Sequence, residues 1–176
     1  GATPVWDGSS VKGGRYPVAG DASEPKSVQA CDDFVTAVVD RYAGRITAYQ
    51  IWNEASLKMF WQGSPEQMAD LTERAYRIIK ERDPSAQVVG ASTTVRLLGA
   101  FERSFPAYVE ELAAQDWPVD VLAVHSYPSG VQGPLDRVRN LRLVRHTLDR
   151  LSAPALPVWD TAFNYGLAGP GAVSRG

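Results

Sequence analysis

Cysteine and histidine are scarce in this sequence. Cys31 is its one cysteine, so the 176 residues can form neither an internal disulfide nor a multi-cysteine metal site. The two histidines, His125 and His146, are not spaced as metal ligands are. We therefore expect no metal and no cofactor. Cys31 shares a helical pattern with Phe34 and Val38, which favours a small core residue over a reactive thiol.

Strong charge of one sign and long apolar runs are also lacking. The net charge is −2, which provides no electrostatic footprint for nucleic acid or for an anionic membrane. The longest apolar runs are only a few residues, far too short for a membrane span. No charged-then-apolar leader opens the sequence, and its localisation stays open between cytoplasmic and extracellular.

Short apolar segments alternate with longer amphipathic ones. Apolar residues recur at helical spacing in four segments, which are 28–42, 65–83, about 102–114 and 135–151. The second of these opens with Ser64-Pro65-Glu66-Gln67, the pattern of a capping box. Five short apolar segments are predicted as strands: 1–4, 46–53, 87–91, 119–126 and 156–162. This alternation predicts an α/β fold with a parallel sheet, either doubly wound or a (β/α)8 barrel.

Polar residues stand at the ends of the predicted strands. Asn53 and Glu54 end the second strand, His125 and Tyr127 the fourth, and Thr161 the last. Polar groups at the carboxyl ends of parallel strands mark the active face of either architecture. No glycine-rich phosphate-binding fingerprint follows any of these strands, which favours the barrel. The alternate positions of His125 and Tyr127 let both side chains face one pocket.

Three segments in this order resemble a known superfamily. The stretch "YQIWNEASLKMFW" and its continuation to "VVGAS" resembles the fourth and fifth units of the retaining (β/α)8-barrel glycoside hydrolases of clan A. The resemblance is to the β-xylosidase and α-iduronidase branch and to cellulase-like families. "VLAVHSYP" resembles the sixth strand, and "LPVWDTAFNYG" resembles the seventh, usually written Trp-x-Thr-Glu. In addition to these three motifs, "GATPVW" at the start of the sequence resembles the end of the third strand.

The resemblance implies hydrolysis of O-glycosidic bonds in a carbohydrate substrate. Glu54 would be the general acid/base, Asn53 would bind the sugar 2-hydroxyl, Tyr127 would orient the nucleophile and His125 would line the sugar site. Such cleavage needs a carboxylic acid at the leaving oxygen and a carboxylate opposite it. Aromatic residues after the strands would stack on sugar rings; they are Trp6, Phe60, Trp61 and Tyr165.

Each of these roles has a structural alternative. Glu54 could instead be a helix-capping or ion-pairing carboxylate, and His125 a structural histidine. Phe60 and Trp61 could simply cover the rim of the barrel.

The sequence departs from the family at the nucleophile. Ala162 occupies the expected position of this residue, and alanine cannot attack an anomeric carbon. Asp160 shares a strand face with position 162 but lies about 6–7 Å lower, too deep to replace it. The chain is therefore predicted to be inactive by double displacement. It is then either a nucleophile-null variant, natural or engineered, or a catalytically dead carbohydrate-binding domain (a pseudo-glycosidase).

The second departure is length. A (β/α)8 barrel typically needs about 250 residues, and 1–176 accounts for strands three to seven with four helices. We expect one partial catalytic TIM-barrel domain, with the missing strands supplied by the rest of a full-length chain. A third interpretation is an unrelated parallel α/β enzyme in which the three motifs coincide by chance. A structure that placed Glu54, Tyr127 and Ala162 far apart would establish it.

Overall fold

The structure, a computed structural model, describes residues 8–10, 14–15, 19–128 and 134–163. In chain order the elements are α1 (Val28–Tyr42), β1 (Ala48–Gln50), α2 (Pro65–Arg82), β2 (Gln87–Val89), β3 (Thr93–Thr94), α3 (Leu98–Ala114), β4 (Leu122–His125), α4 (Pro134–Arg150) and β5 (Val158–Asp160). All four predicted helices are present, and α3 begins at Leu98 rather than near Glu102. The strand predicted at 1–4 lies outside the described residues.

The strands pair in parallel, and every pairing joins strands that are consecutive in the sequence, although β2 and β3 are not themselves paired. β1 pairs with β2, β3 with β4 and β4 with β5, and a bridge from Val89 to Val121 joins β2 to the start of β4. β2 and β3 are therefore two parts of the single strand predicted near 87–91. The α/β architecture with parallel pairing is as predicted. The described residues do not form a closed barrel.

The break between β2 and β3 has a local cause. The backbone N–H of Ala91 donates to the hydroxyl of Tyr108 on α3, at 3.1 Å, rather than to a neighbouring strand. The next N–H, that of Ser92, donates to the carbonyl of Trp52 beyond the end of β1, at 3.0 Å. The strand thus changes its hydrogen-bonding partners at this point. Its carboxyl end is hydrogen-bonded to the loop that carries the predicted site.

Side-chain caps begin the first two helices. Ser64 Oγ accepts from the backbone N–H of Gln67 at 3.1 Å, and Gln67 Oε1 accepts from the N–H of Ser64 at 2.7 Å. This is the predicted capping box, and Pro65 follows it as the first residue of α2. Ser27 Oγ caps α1 in the same way, accepting from the N–H of Ala30.

Both faces of β4 are buried. Leu122 and Val124 belong to the main core with residues of α3 and α4, whereas Ala123 packs with Val89 and Val121 on the opposite face. Burial on both faces is what the near-continuous apolar sequence of 119–126 predicts. Cys31 is half-buried and packs against the main core. Among the described residues, no helix combines the length and apolar character that a membrane span requires.

Candidate active site

An open cleft lies at the carboxyl ends of β1, β4 and β5. Its volume is about 530 Å³, and its lining residues are Arg15, Asn53, Glu54, Phe60, His125, Tyr127 and Ala162. This size lies within the range of small-molecule sites. Segments more than 100 residues apart in the sequence meet here, since Asn53 and Ala162 line the same cleft. Glu54, Tyr127 and Ala162 lie together, which counts against a chance coincidence of the three motifs.

Glu54 has an unusual backbone conformation. Its φ is +47°, in the left-handed region that residues other than glycine rarely adopt. Its N–H donates to Ser92 Oγ at 2.9 Å, and the N–H of Ala55 donates to the carbonyl of Ser92 at 3.0 Å. A non-glycine residue in this region costs on the order of 1–3 kcal/mol, and such residues cluster at functional sites. Ser92 thus holds Glu54 in a conformation that a free chain would leave.

The Glu54 carboxylate is paired with His125. Glu54 Oε1 lies 2.9 Å from His125 Nδ1, and the two side chains are 15% and 5% exposed. An ionised carboxylate only accepts hydrogen bonds, so the tautomer with hydrogen on Nδ1 makes this contact. The Nε2 edge of the same ring is thereby left for another partner. The structure thus joins two side chains that the sequence predicted separately.

Tyr127 completes this side of the cleft. Its ring meets that of His125 edge to face, with centroids 6.0 Å apart and an interplanar angle of 86°. Burial raises the pKa of the Tyr127 hydroxyl above its usual value, and the negative charges of Glu54 and Asp160 raise it further. The phenol therefore stays protonated at neutral pH and can donate a hydrogen bond into the cleft.

Ala162 and Asp160 differ in their surroundings. Ala162 lines the cleft, whereas Asp160 does not. The Asp160 carboxylate is 10% exposed, accepts from Ser126 Oγ and from the Ser126 N–H, and pairs with Arg137 at 2.8 Å. In register it lies opposite Val124, whose face of the sheet packs against helices. The predicted common face of Asp160 and position 162 is therefore not observed, because Ser126 and Arg137 hold the Asp160 carboxylate away from the cleft.

The aromatic residues are distributed differently from the prediction. Phe60 lines the cleft, but Trp61 is only 2% exposed and belongs to the core. The Trp61 indole donates to the carbonyl of Ser64 at 3.0 Å and meets the ring of Trp52 edge to face at 5.3 Å. Trp61 therefore belongs to the core and not to the residues that line the cleft, so the expectation that its ring stacks on a sugar there is not met. Trp6 and Tyr165 lie outside the described residues.

Arg15 and Ser92 were not expected at the site. Arg15 belongs to a loop rich in glycine, and no periodicity places such a residue. Ser92 supports Glu54 from a strand 38 residues away. Neither residue has a local sequence signal that could have revealed its contact. Within the described residues, no cluster of His, Cys, Asp or Glu has a metal-binding arrangement.

Solved structures resemble this chain over most of its length. A GH39 beta-xylosidase from Caulobacter crescentus matches with a TM-score of 0.70 and 25% identity, covering 94% of this chain and 36% of that one. A glucosidase from Croceicoccus marinus matches with a TM-score of 0.71 and 18% identity, covering 85% and 33%. A GH10 xylanase from Thermobacillus composti matches with a TM-score of 0.53 and 18% identity, covering 84% and 44%.

These matches confirm the resemblance to clan A glycoside hydrolases with TIM-barrel folds. No protein-family model matches the sequence, and neither does any curated protein. The chain spans about 36% of the length of the beta-xylosidase.

Proposed function

We propose that this chain forms part of a glycoside hydrolase-type (β/α)8 barrel that binds a carbohydrate and retains one of two catalytic carboxylates. The observation that carries the proposal is the cleft itself, which Asn53, Glu54, His125, Tyr127 and Ala162 line together. The glycoside hydrolase fold of the structural neighbours supports the same interpretation. Carbohydrate is accordingly the proposed ligand.

In this proposal the four observed strand positions correspond to strands four to seven of a barrel, and further chain supplies the others. Three exposed apolar side chains support this, because they lie on α1, α4 and β5, the first element and the last two in chain order. Phe34 on α1 is 68% exposed, and Leu135 on α4 is 82% exposed. Trp159 on β5 is 39% exposed. Completion of the barrel would bury such surface and pair the open edges of β1 and β5.

The proposed chemistry is that of a retaining site that lacks one of its two carboxylates. Glu54 would protonate the leaving oxygen and later activate water, and it lines the cleft in which the leaving group would lie. Asn53 would bind the sugar 2-hydroxyl, as the sequence resemblance implies. A nucleophile at position 162 would lie about 5–5.5 Å from the Glu54 carboxyl group. Since Ala162 cannot attack, the chain as written should hydrolyse glycosides slowly or not at all.

The test is the substitution Ala162→Glu in the full-length protein. We expect hydrolysis of an aryl glycoside to rise from background, with NMR showing retained anomeric configuration in the first product formed. Ala162→Gln is the matched control, because it adds the same bulk without a nucleophilic carboxylate, and it should stay inactive. A folded Ala162→Glu protein that hydrolyses no glycoside from a broad panel would contradict the proposal.

Small anions provide an independent test on the unaltered protein. Azide or formate in the space beside Ala162 should attack an activated glycoside in place of the absent carboxylate. Azide should give a glycosyl azide of inverted configuration, detectable by mass spectrometry and NMR.

A second candidate is a catalytically inactive carbohydrate-binding domain, and the absence of a carboxylate at position 162 favours it. Calorimetric titration with sugars distinguishes the two. A pure binding domain would bind sugar, would remain inactive as Ala162→Glu, and would bind equally well as Glu54→Gln.

A further inference from the structure

A partly buried polar cluster, formed by Ser126, Arg137 and Asp160, lies beside the cleft. Asp160 Oδ2 accepts from Arg137 Nε and lies 2.8 Å from Arg137 Nη2. Arg137 Nε also donates to Ser126 Oγ at 3.0 Å, and Ser126 is fully buried. The cluster therefore connects three elements, because Ser126 follows β4, Asp160 ends β5 and Arg137 lies in the first turns of α4.

The cluster is adjacent in sequence to the cleft residues. Ser126 lies between His125 and Tyr127, which both line the cleft. A displacement of the Ser126 backbone would thus move both neighbours.

Arg137 contacts residues on both sides of position 162. Its guanidinium binds Asp160, two residues before Ala162, and its Cζ lies 3.7 Å from the ring centroid of Phe163, one residue after it. One side chain from α4 therefore contacts the β5 segment on both sides of the position where the nucleophile is expected. A side chain placed at 162 would be carried on a backbone held at both ends.

We propose that Arg137 and Asp160 form a positioning pair that fixes the ends of β4 and β5 and thereby sets where Tyr127 and the side chain at position 162 lie in the cleft. The part of this inference that concerns turnover rests on the proposed function. Neither residue touches substrate in this scheme, since Asp160 points away from the cleft and both act through their neighbours.

The charges of Arg137 and Asp160 can be detected through their effect on the pKa of Tyr127. The His125 ring meets the Tyr127 ring edge to face, and Glu54 is bonded to His125. Arg15 lines the same cleft as Tyr127. Asp160 is the further charged group near Tyr127. The negative charge of Asp160 contributes to the raised pKa of Tyr127. Removal of that charge should therefore lower the pKa of Tyr127.

Removal of Arg137, which neutralises the Asp160 charge, should instead raise the pKa of Tyr127. Arg137→Met leaves the Asp160 charge uncompensated, so the pKa of Tyr127 should rise, whereas Asp160→Asn should lower it. If the two charges were not held beside Tyr127, its pKa would not move in opposite directions in the two variants. Opposite signs therefore show that Arg137 and Asp160 are fixed next to Tyr127, and the kcat of the Arg137 variants tests their positioning role.

The experiment is an ultraviolet titration of tyrosinate in the full-length protein. Each variant is measured with and without Tyr127→Phe, so that the difference isolates Tyr127 from the other tyrosines. Arg139→Met is the matched control, because Arg139 lies on the same helix with a 79% exposed side chain and should leave the pKa of Tyr127 unchanged. A lowered pKa of Tyr127 in Arg137→Met would overturn the proposal.

Turnover is measured in the Ala162→Glu background. Arg137→Met should lower kcat on the order of 10- to 100-fold with a smaller change in KM, because displacing a reacting group by about 1 Å has effects of this size. Arg137→Lys keeps the charge but loses the planar fork. It should leave the pKa of Tyr127 near that of the parent while kcat still falls.

The two failures are distinguishable. If folded Ala162→Glu is inactive, the proposed function fails, and the titration still decides the positioning pair. If Ala162→Glu is active and Arg137→Met keeps its kcat within about twofold, the positioning pair fails while the proposed function stands.

Discussion

The segments that follow β1 and β5 both border the cleft, but they retain different parts of the expected site. After β1, the proposed acid/base is present, since Glu54 lines the cleft and its carboxylate is bound to His125. Its backbone is held by Ser92 in a left-handed conformation. After β5, position 162 carries only a methyl group, although Asp160 and its partners hold the strand end firmly.

Among the described residues, the two segments differ in one side chain rather than in the contacts that support them. Extensive decay of a site would be expected to remove supporting contacts as well, yet the Asp160 carboxylate keeps partners on both β4 and α4. Tyr127, the residue proposed to orient the nucleophile, also lines the cleft still. Position 162 is thus well supported but carries no carboxylate, and for this reason a single substitution there is an informative test of the proposed function.

The largest expected effect is that of substituting Glu54 in a protein that already carries Ala162→Glu. In the Ala162→Glu background, Glu54→Gln should lower kcat by about 10²–10⁴-fold, because the amide cannot protonate the leaving oxygen. The measurement is steady-state hydrolysis of a series of aryl glycosides. The loss should shrink as the leaving phenol becomes more acidic, since such leaving groups need little protonation. An equal loss across the series would assign Glu54 a structural role instead.

Local features were the part of this molecule that the sequence predicted well. The capping box of Ser64 and Gln67 and the strand-to-site step at Asn53 and Glu54 depend on neighbours in the chain. The helices followed from the spacing of apolar residues, because each helix buries one stripe against the sheet. The parallel pairing of the strands followed from the strict alternation of strands and helices.

Long-range packing accounts for what the sequence did not predict. Phe60 and Trp61 are adjacent aromatic residues, and only the tertiary structure decides that Trp61 enters the core while Phe60 lines the cleft. The hydroxyl of Tyr108 interrupts the strand at Ala91 from a helix 17 residues away. The orientation of Asp160 likewise depends on Arg137, which no pattern of strand alternation includes.

A smaller effect is expected when the hydrogen bond between the Glu54 N–H and the Ser92 side chain is removed. Ser92→Ala removes the acceptor for the Glu54 N–H and leaves this donor without its partner in a partly buried place. The free energy of unfolding should fall by about 1–3 kcal/mol, measured by denaturant titration. In the Ala162→Glu background kcat should also fall, because the left-handed conformation of Glu54 loses its side-chain anchor.

Ser56→Ala is the matched control for this substitution. Ser56 Oγ accepts from the backbone N–H of Thr94 at 3.2 Å, so it joins the same two segments without contacting Glu54. It should lower stability to a similar degree and leave kcat nearly unchanged. Equal losses of kcat in both variants would mean that the loop as a whole, rather than the Ser92 contact, positions the acid.

The smallest effect concerns Phe163, on the far side of position 162 from Asp160. The ring lies against the Arg137 guanidinium but is 47% exposed, and a cation–π contact at an exposed site is worth about 0.5–1 kcal/mol. Phe163→Leu keeps an apolar side chain without the ring, so in the Ala162→Glu background kcat should fall by only about two- to fivefold. A loss as large as that of Arg137→Met would transfer the positioning role from the ion pair to the ring. Because both contacts belong to one guanidinium, comparing the two variants shows which side of position 162 needs the stronger restraint.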